Sequence, residues 1–431
     1  MKPTHFQLLM FFLCSVLPLQ GQIIQTYSGL KRSQLSYLHA NLPQLTASRQ
    51  SDQSLLHLNP EEGLISQLDR TRQQLVNLPV FHRADYEIDT SGADTTIHWN
   101  LAESRTVFPL FNFGGVRGNF HYLVGFNDIH WQGRGQQLTA FYQNNDGQHN
   151  YYLALRNPSL RGSRWGYRIE ASRYAAIEPL YFPETAVNYR YANLNFGASV
   201  SYRIRPTQEV EFGISTFREN FQKLEAEENS PGPDQLRQQK LLFKGRHQLN
   251  RLNYHQERLA GTDHQTIAQA VINLRDDSRF FIGWHDFRWF QLVGNRGNLA
   301  ARLRAGLSSN DNSPFAPFVL DSQVNIRGSG NRIDRGTAQL ILNLEYRHRV
   351  WCDRKERFAI QLVAFSDIGS WRSPGGSLGE VFDGTTLREF VGLGTRLISL
   401  KASNAAIRVD YGLDLRNPQE RGLVLGFGQY F

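Results

Sequence analysis

The chain has 431 residues, with 47 lysines and arginines against 39 acids, a formal charge of +8 and 12% aromatic residues. Charged residues make up 20% of it, and no run of 18 apolar residues follows the N-terminal segment, which excludes helical membrane spans. The positive charge is only a weak pointer, because anionic lipid or a polar channel lining absorbs basic residues as readily as nucleic acid does.

Lys2, an apolar run from Phe6 to Leu19 and then Gln20-Gly21-Gln22 read as a secretory signal peptide over residues 1–21. Its apolar core is too short to span a bilayer comfortably. Cys14 lies inside it without the small residues that a lipid-attachment motif needs. With the signal removed Cys352 is the only cysteine, so no intrachain disulfide is expected, and an exported chain has no nucleic acid to meet.

Residues 22–108 read as a small α+β domain. Ser33 can cap a short helix carrying Leu35 and Leu38, and Asn59-Pro60-Glu61-Glu62 is a stronger helix start, with an Asx cap, proline in the first turn and acids beside it. Leu64, Leu68, Thr71, Leu75 and Leu78 then recur at helical spacing, one face for packing on a sheet. Two strands follow. Phe81 to Asp89 puts Ala84, Tyr86 and Ile88 together, and Thr95 to Leu101 alternates Ile97, Trp99 and Leu101 with polar residues.

From 109 to 431 the chain alternates with period two, the mark of strands whose two faces meet different surroundings. Strands are expected near 119–127, 136–145, 148–157, 164–174, 193–204, 207–217, 238–257, 264–274, 279–291 and 298–307, with five more after a central loop. An even number is expected of a closed antiparallel barrel, so 16 strands are predicted, the missing one within 174–192 or 238–257. Leu299, Ala301, Leu303, Ala305 and Leu307 oppose Asn298, Arg302, Arg304 and Gly306. A soluble sandwich would bury the apolar face in a second sheet; repeated charges opposite it suit a wet lumen inside a transmembrane antiparallel β-barrel. Trp284, Trp289 and Phe290 are assigned to an interfacial aromatic belt, and His121, His130 and His149 to strand ends or the lumen wall.

The glycine-rich loop Val324-Asn325-Ile326-Arg327-Gly328-Ser329-Gly330 precedes two clean strands, Thr337 to Val350 and Arg357 to Gly369. Glu345 in the first and Asp367 in the second fall on the polar face, where a basic loop can meet them. A guanidinium offers a planar fork that a carboxylate accepts in two parallel hydrogen bonds. Glu345 and Asp367 are therefore the carboxylates open to the loop's Arg327. No catalytic, cofactor or metal constellation is present: Gly213-Ile214-Ser215-Thr216-Phe217 lacks the closing glycine of a nucleophile elbow, and Gly328-Ser329-Gly330 lacks a phosphate-binding lysine.

These strings carry a resemblance. Val124-Gly125-Phe126-Asn127-Asp128 and Gln132 to Leu138 are similar to the opening hairpin of the BamA/TamA outer-membrane insertase superfamily. Ile326-Arg327-Gly328 resembles its motif on the sixth external loop, and Phe365-Ser366-Asp367-Ile368-Gly369 its F-x-D-x-G strand, whose aspartate holds the loop arginine. Asn343 to Arg347 resembles the strand between them. The order of elements in 22–108, with Leu75 to Phe81 and Leu101-Ala102-Glu103, resembles a POTRA domain, a small plug or adaptor being the alternative. Phe427, Tyr430 and Phe431 resemble the C-terminal signal of outer-membrane barrels, with Leu423, Leu425, Phe427 and Phe431 sharing one face of a last strand from Gly422 to Phe431.

The resemblance implies a bacterial outer-membrane barrel with its N-terminal domain in the periplasm, not an enzyme and without cofactors. Its implied partners are unfolded outer-membrane protein clients, the lipid bilayer and accessory periplasmic proteins or lipoproteins. The implied action is insertion of clients through a weak seam between first and last barrel strands; a two-partner-type secretion translocator and a passive porin or lipid-handling channel are the alternatives. Two departures stand out: Ser329 replaces the usual aromatic residue after Arg-Gly, and there is room for only one POTRA domain.

Overall fold

The computed structural model describes residues 23–28, 38, 45–47, 53–56 and 63–431, apart from 93–94, 117–118, 146, 182–185, 225–229, 312–315, 321–323, 330–333 and 403–404. The signal segment, the Ser33 helix start and the Asn59 to Glu62 helix start lie outside these residues, as does Gly330.

The N-terminal unit comprises β1 (Ile23–Ser28), β2 (Leu45–Ala47), β3 (Gln53–Leu56), α1 (Leu64–Asn77), β4 (Phe81–Asp89) and β5 (Thr95–Glu103). The sheet order is β2-β3-β1-β5-β4, with β1 parallel to β5 and the other pairs antiparallel. The short strands β2 and β3 have no counterpart in the sequence expectation. Leu68, Thr71 and Leu75 turn the buried face of α1 toward a core containing Ala84, Ile97, Trp99 and Leu101. A polar bond is built into that core, from Trp99 Nε1 to Gln25 Oε1 at 2.6 Å; a buried indole N–H needs such a partner.

Eleven barrel strands follow. They are β6 (Val107–Val116), β7 (Asn119–Trp131), β8 (Gln136–Asn145), β9 (Gln148–Asn157), β10 (Trp165–Tyr181), β11 (Ala186–Arg205), β12 (Gln208–Lys223), β13 (Gln235–His255), β14 (Arg258–Asn273), β15 (Arg279–Val293) and β16 (Gly297–Ser308). A long loop carrying the small pair β17 (Phe318–Leu320) and β18 (Asp334–Gly336) leads into β19 (Ala338–Cys352), β20 (Phe358–Arg372), β21 (Arg388–Ser399), β22 (Ala405–Asp414) and β23 (Arg421–Phe427). Sixteen strands close into an antiparallel barrel in chain order, β23 meeting β6.

The strand absent from the sequence expectation is β6, not a segment of 174–192 or 238–257. Pro109, Gly114 and Gly115 mask its alternation. Residues 174–181 and 186–192 belong to the long arms of β10 and β11, and 238–257 falls almost entirely within β13, 21 residues long. The barrel accordingly begins at Val107, and the strand near 119–127 is its second.

Burial inverts the pattern of a soluble sandwich. In β19 the apolar Leu344 and Tyr346 are 43% and 39% exposed, while Asn343, Glu345 and Arg347 on the opposite face are at most 2% exposed. The charged face is the inside. Outside, Phe212, Phe281 and Leu393 are among the large exposed apolar residues, and no helix among the described residues is long and apolar enough to cross a membrane. Trp289 faces outward, but Phe290 is buried at 2% exposure and turns inward, so it is not part of an external belt.

Candidate functional site: a lumen clasp beside a thin seam

The loop between β16 and β19 folds back into the barrel, because its tip carries the groups that the inner wall lacks. The Arg327 backbone N–H donates to Asp367 Oδ2 at 2.9 Å, Nε to the same oxygen at 2.8 Å and Nη2 to Oδ1 at 2.7 Å. Nη1 meets Glu345 Oε1, so both anticipated carboxylates hold the one guanidinium. Arg327, Glu345 and Asp367 all have fully buried side chains. Asn343 Nδ2 donates to Asp367 Oδ1 and to the Asn325 carbonyl, both at 2.8 Å, tying wall to loop a second time.

Phe365 adds an aromatic face, with its ring centre 3.7 Å from Arg327 Cζ. Ile326 is fully buried with Ile341 and Phe390, and Gly369, also buried, stands opposite Ile341 in the β19–β20 ladder. Gly328 shows why the motif needs glycine. Its φ is +93°, and a Cβ there would lie 2.7 Å from the backbone of Gly412 in β22. Gly412 has the reciprocal constraint, since its Cβ would lie 2.3 Å from the Arg327 carbonyl oxygen. The tip is thus pressed flat against the strands that lead to the end of the chain.

The network continues. Glu345 Oε2 accepts from Arg347 Nε at 2.5 Å, and Arg396 Nη1 donates to Asp410 Oδ1 at 2.6 Å. Farther along the wall Asp286 accepts from Arg302 and Arg304 at 2.6–2.9 Å, while Arg302 Nη1 reaches the Val324 carbonyl at 2.7 Å. At the other rim Arg335 in the loop base pairs with Glu178 of β10. His130 is buried beside the β7–β8 turn and accepts from the Gly135 N–H, and His149 pairs with the Tyr142 hydroxyl; the His121 side chain lies outside the described residues.

The end of the chain departs from the sequence expectation. The last strand stops at Phe427 rather than continuing to Phe431. Gly428, at φ +85°, breaks the extended backbone and sends Gln429-Tyr430-Phe431 into the lumen. Phe427 stays at the wall, 5.8 Å from the Phe111 ring and 6.4 Å from that of Phe108. Tyr430 lies 4.2 Å from Arg327 Cζ, and Phe431 contacts Phe290 with ring centres 6.4 Å apart. Period-two counting placed Phe431 with Leu423 and Leu425, but one left-handed glycine cancels that parity. A glycine three residues before the end was the available signal.

The closing ladder is thin. Among the described residues β23 and β6 are registered at Leu425↔Phe113 and Gly426↔Asn112, whereas the neighbouring β22–β23 ladder runs from Leu413↔Arg421 to Ile407↔Phe427. Pro109 lies in β6, opposite Phe126 of β7. Proline has no N–H to donate, and a strand tolerates it where one side goes unpaired.

A buried arginine on a returning loop, an F-x-D-x-G strand and a barrel closed between its first and last strands now stand together, and a family model described as the Omp85 superfamily domain matches residues 130–431. The chain belongs to the Omp85 superfamily. Among solved structures, this Omp85 barrel is similar to BamA from Haemophilus ducreyi lacking POTRA domains 1-3, at 13% identity and a TM-score of 0.51, over 94% of this chain and 83% of that one. It is also similar to CdiB from Acinetobacter baumannii, at 13% identity and TM-score 0.55 over 94% and 72% of the two chains. CdiB from Escherichia coli gives 11% identity and TM-score 0.58 over 95% and 76%. No curated protein matches the sequence. These likenesses establish the fold, and an Omp85 barrel of 16 strands belongs in the bacterial outer membrane.

Proposed function

We propose that this Omp85 protein assists the insertion or assembly of outer-membrane proteins, by opening the seam between β6 and β23 so that a client strand adds to the exposed edge. The observation that carries this reading is the two-position register of the closing ladder. Unpaired backbone groups are costly in lipid, so an opened edge is a strong acceptor for an incoming strand. The clasp at Arg327 would hold the adjoining strands in shape while the seam opens.

The N-terminal unit fits a POTRA-type role in the periplasm. Its edge strand β4 has one free side among the described residues, and strand addition at such an edge is a general mode of peptide capture. His82, Arg83 and Asp85 of β4 line a cleft of about 1470 Å³ between this unit and the barrel turns, with Asn253, Glu356 and Lys401 opposite. A client held there would lie at the barrel mouth.

Depletion of the protein followed by a quantitative census of outer-membrane barrels tests the assignment. General loss of barrel proteins is the expected result. Loss of a single exported protein would replace the reading with secretion, and altered permeability with an unchanged census would replace it with a channel.

A further inference from the structure

Polar side chains interrupt the lipid-facing wall on β13, β14 and β15. Asp263 and Ile267 of β14 and Asp286 and Phe290 of β15 are buried and point inward, so His264, Thr266 and Ala268 take the outer face of β14, and Gly283, His285 and Phe287 that of β15. Registered neighbours share a face, and the ladder sets His247 of β13, Thr266 and His285 in one row across three strands. Thr266 Oγ1 and His285 Nδ1 lie 2.8 Å apart, the His264 and His285 ring centres 5.7 Å apart, and Gln208 Nε2 reaches His247 Nε2 at 3.0 Å. The row sits in the middle of the apolar band. His285 is four residues from each of the outward-facing Phe281 and Trp289, and a tilted strand takes roughly ten residues to cross. Hydrocarbon offers these groups nothing to bond to, and among the described residues the His264 imidazole makes ring contacts but no hydrogen bond. Beside the polar row the wall is hollow. Gly245, Ala268 and Gly283 are registered side by side, a Cβ on either glycine would meet nothing closer than 3.7 Å, and Phe212 and Phe281, 71% and 64% exposed, project at the edges.

We propose that this face is the surface on which a second copy of the protein docks within the membrane. Its chemistry is self-complementary. A neutral imidazole and a hydroxyl each donate and accept, so the patch bonds to itself across a twofold axis, as a patch of one charge would not. The shape is self-complementary too, because the rings that project from one copy meet the side-chain-free hollow of the other, and small residues let two membrane-embedded surfaces approach closely. On the neighbouring β16 the outer face carries Leu299, Leu303 and Leu307 instead, which lipid itself satisfies. β13 and β14 are the eighth and ninth of the sixteen barrel strands, directly across from the β6–β23 joint. Two copies paired there leave both joints facing lipid, so the contact neither needs nor blocks the opening proposed above.

Ala268→Cys in a Cys352→Ser background places a thiol in the hollow, and Leu393→Cys in the same background places one on the outer face of β21, far round the wall. Oxidised in native outer membranes, the Ala268→Cys protein is expected to give at least about tenfold more disulfide-linked dimer than the Leu393→Cys protein. Adding His264→Leu, Thr266→Val and His285→Leu, which suit lipid better than the native side chains, should lower that yield about tenfold while heat-modifiable electrophoretic migration shows the barrel still folded. A second measurement needs no cysteine in the hollow. Protein carrying one fluorophore per chain, reconstituted at high dilution in vesicles of phosphatidylethanolamine and phosphatidylglycerol, should bleach in two steps, and the His264→Leu, Thr266→Val, His285→Leu protein in one. Single-step bleaching of the otherwise unaltered protein, equal dimer from positions 268 and 393, or a yield indifferent to the three replacements overturns the proposal. A crosslink from position 268 to a different protein overturns it as well, by putting that partner where the second copy should be. The depletion census stands untouched by any of these results.

Discussion

At the scale of single residues, the clasp works because every side-chain nitrogen of the buried Arg327, and its backbone N–H, finds a carboxylate oxygen. Arg327 spends three nitrogens on Asp367 and a fourth on Glu345, and aromatic rings cover its faces. Removing one member of such a buried set strands the others, at a cost of about 3–5 kcal/mol. Arg327→Ala should therefore lower the urea midpoint of barrel unfolding markedly, while Arg327→Lys, which keeps charge but not the planar fork, should fall between it and the unaltered protein. An Arg327→Ala protein with an unshifted midpoint would show that the clasp contributes no stability. Period-two counting put Glu345 and Asp367 on the polar face, and the family motif pointed to Arg327 as the residue that Asp367 holds.

At the scale of elements, the seam is the weak joint and its aromatic contacts partly replace missing ladder bonds. Phe427 touches Phe108 and Phe111, contacts that side chains can make and break without leaving a backbone group unpaired for long. A disulfide between Phe113→Cys and Leu425→Cys, in a Cys352→Ser background, joins registered partners and should form readily. Assembly of clients should stop when it is oxidised and resume on reduction; unchanged assembly with the link formed would remove lateral opening from the mechanism. The first strand was not legible, since Pro109 and the paired glycines suppress the alternation that betrays its neighbours. The same features suit a strand that must pair well on one side only.

At the scale of the whole molecule, the N-terminal unit is seated on the barrel through α1 and the β5–β6 connection. Gln73 Nε2 donates to the Tyr254 carbonyl at 3.1 Å, Asn77 Nδ2 to Asn253 Oδ1 at 3.0 Å, and the Arg105 N–H to the Lys401 carbonyl at 2.9 Å. His82 lies at this junction, its Nδ1 3.0 Å from the Glu103 carbonyl oxygen. Partial burial lowers its pKa below the ordinary 6.5, outweighing the raising effect of that bond, and the charges of Lys401 and Arg83 lower it further. A depressed imidazole contributes stability above its unfolded pKa and loses it as pH falls from 6.5 through the folded value. The junction should loosen over that acid window, read as faster amide exchange in β4, and His82→Gln should flatten the response. A pH response that survives His82→Gln would assign it to another group.

What the sequence determined by itself was the alternation and the polarity of each face, with Glu345 and Asp367 on the inner one, because strand parity is a local property that neighbours in the chain enforce on one another. What only the tertiary structure decided was closure: which strand is first, how little of the ladder joins it to the last, and that the chain's end turns into the lumen. Those outcomes depend on a proline whose unpaired side is tolerated only at the joint and on one left-handed glycine, and on buried cations contributed by strands far apart in sequence. Period two cannot count such charges, since their balance exists only once the wall has closed around them.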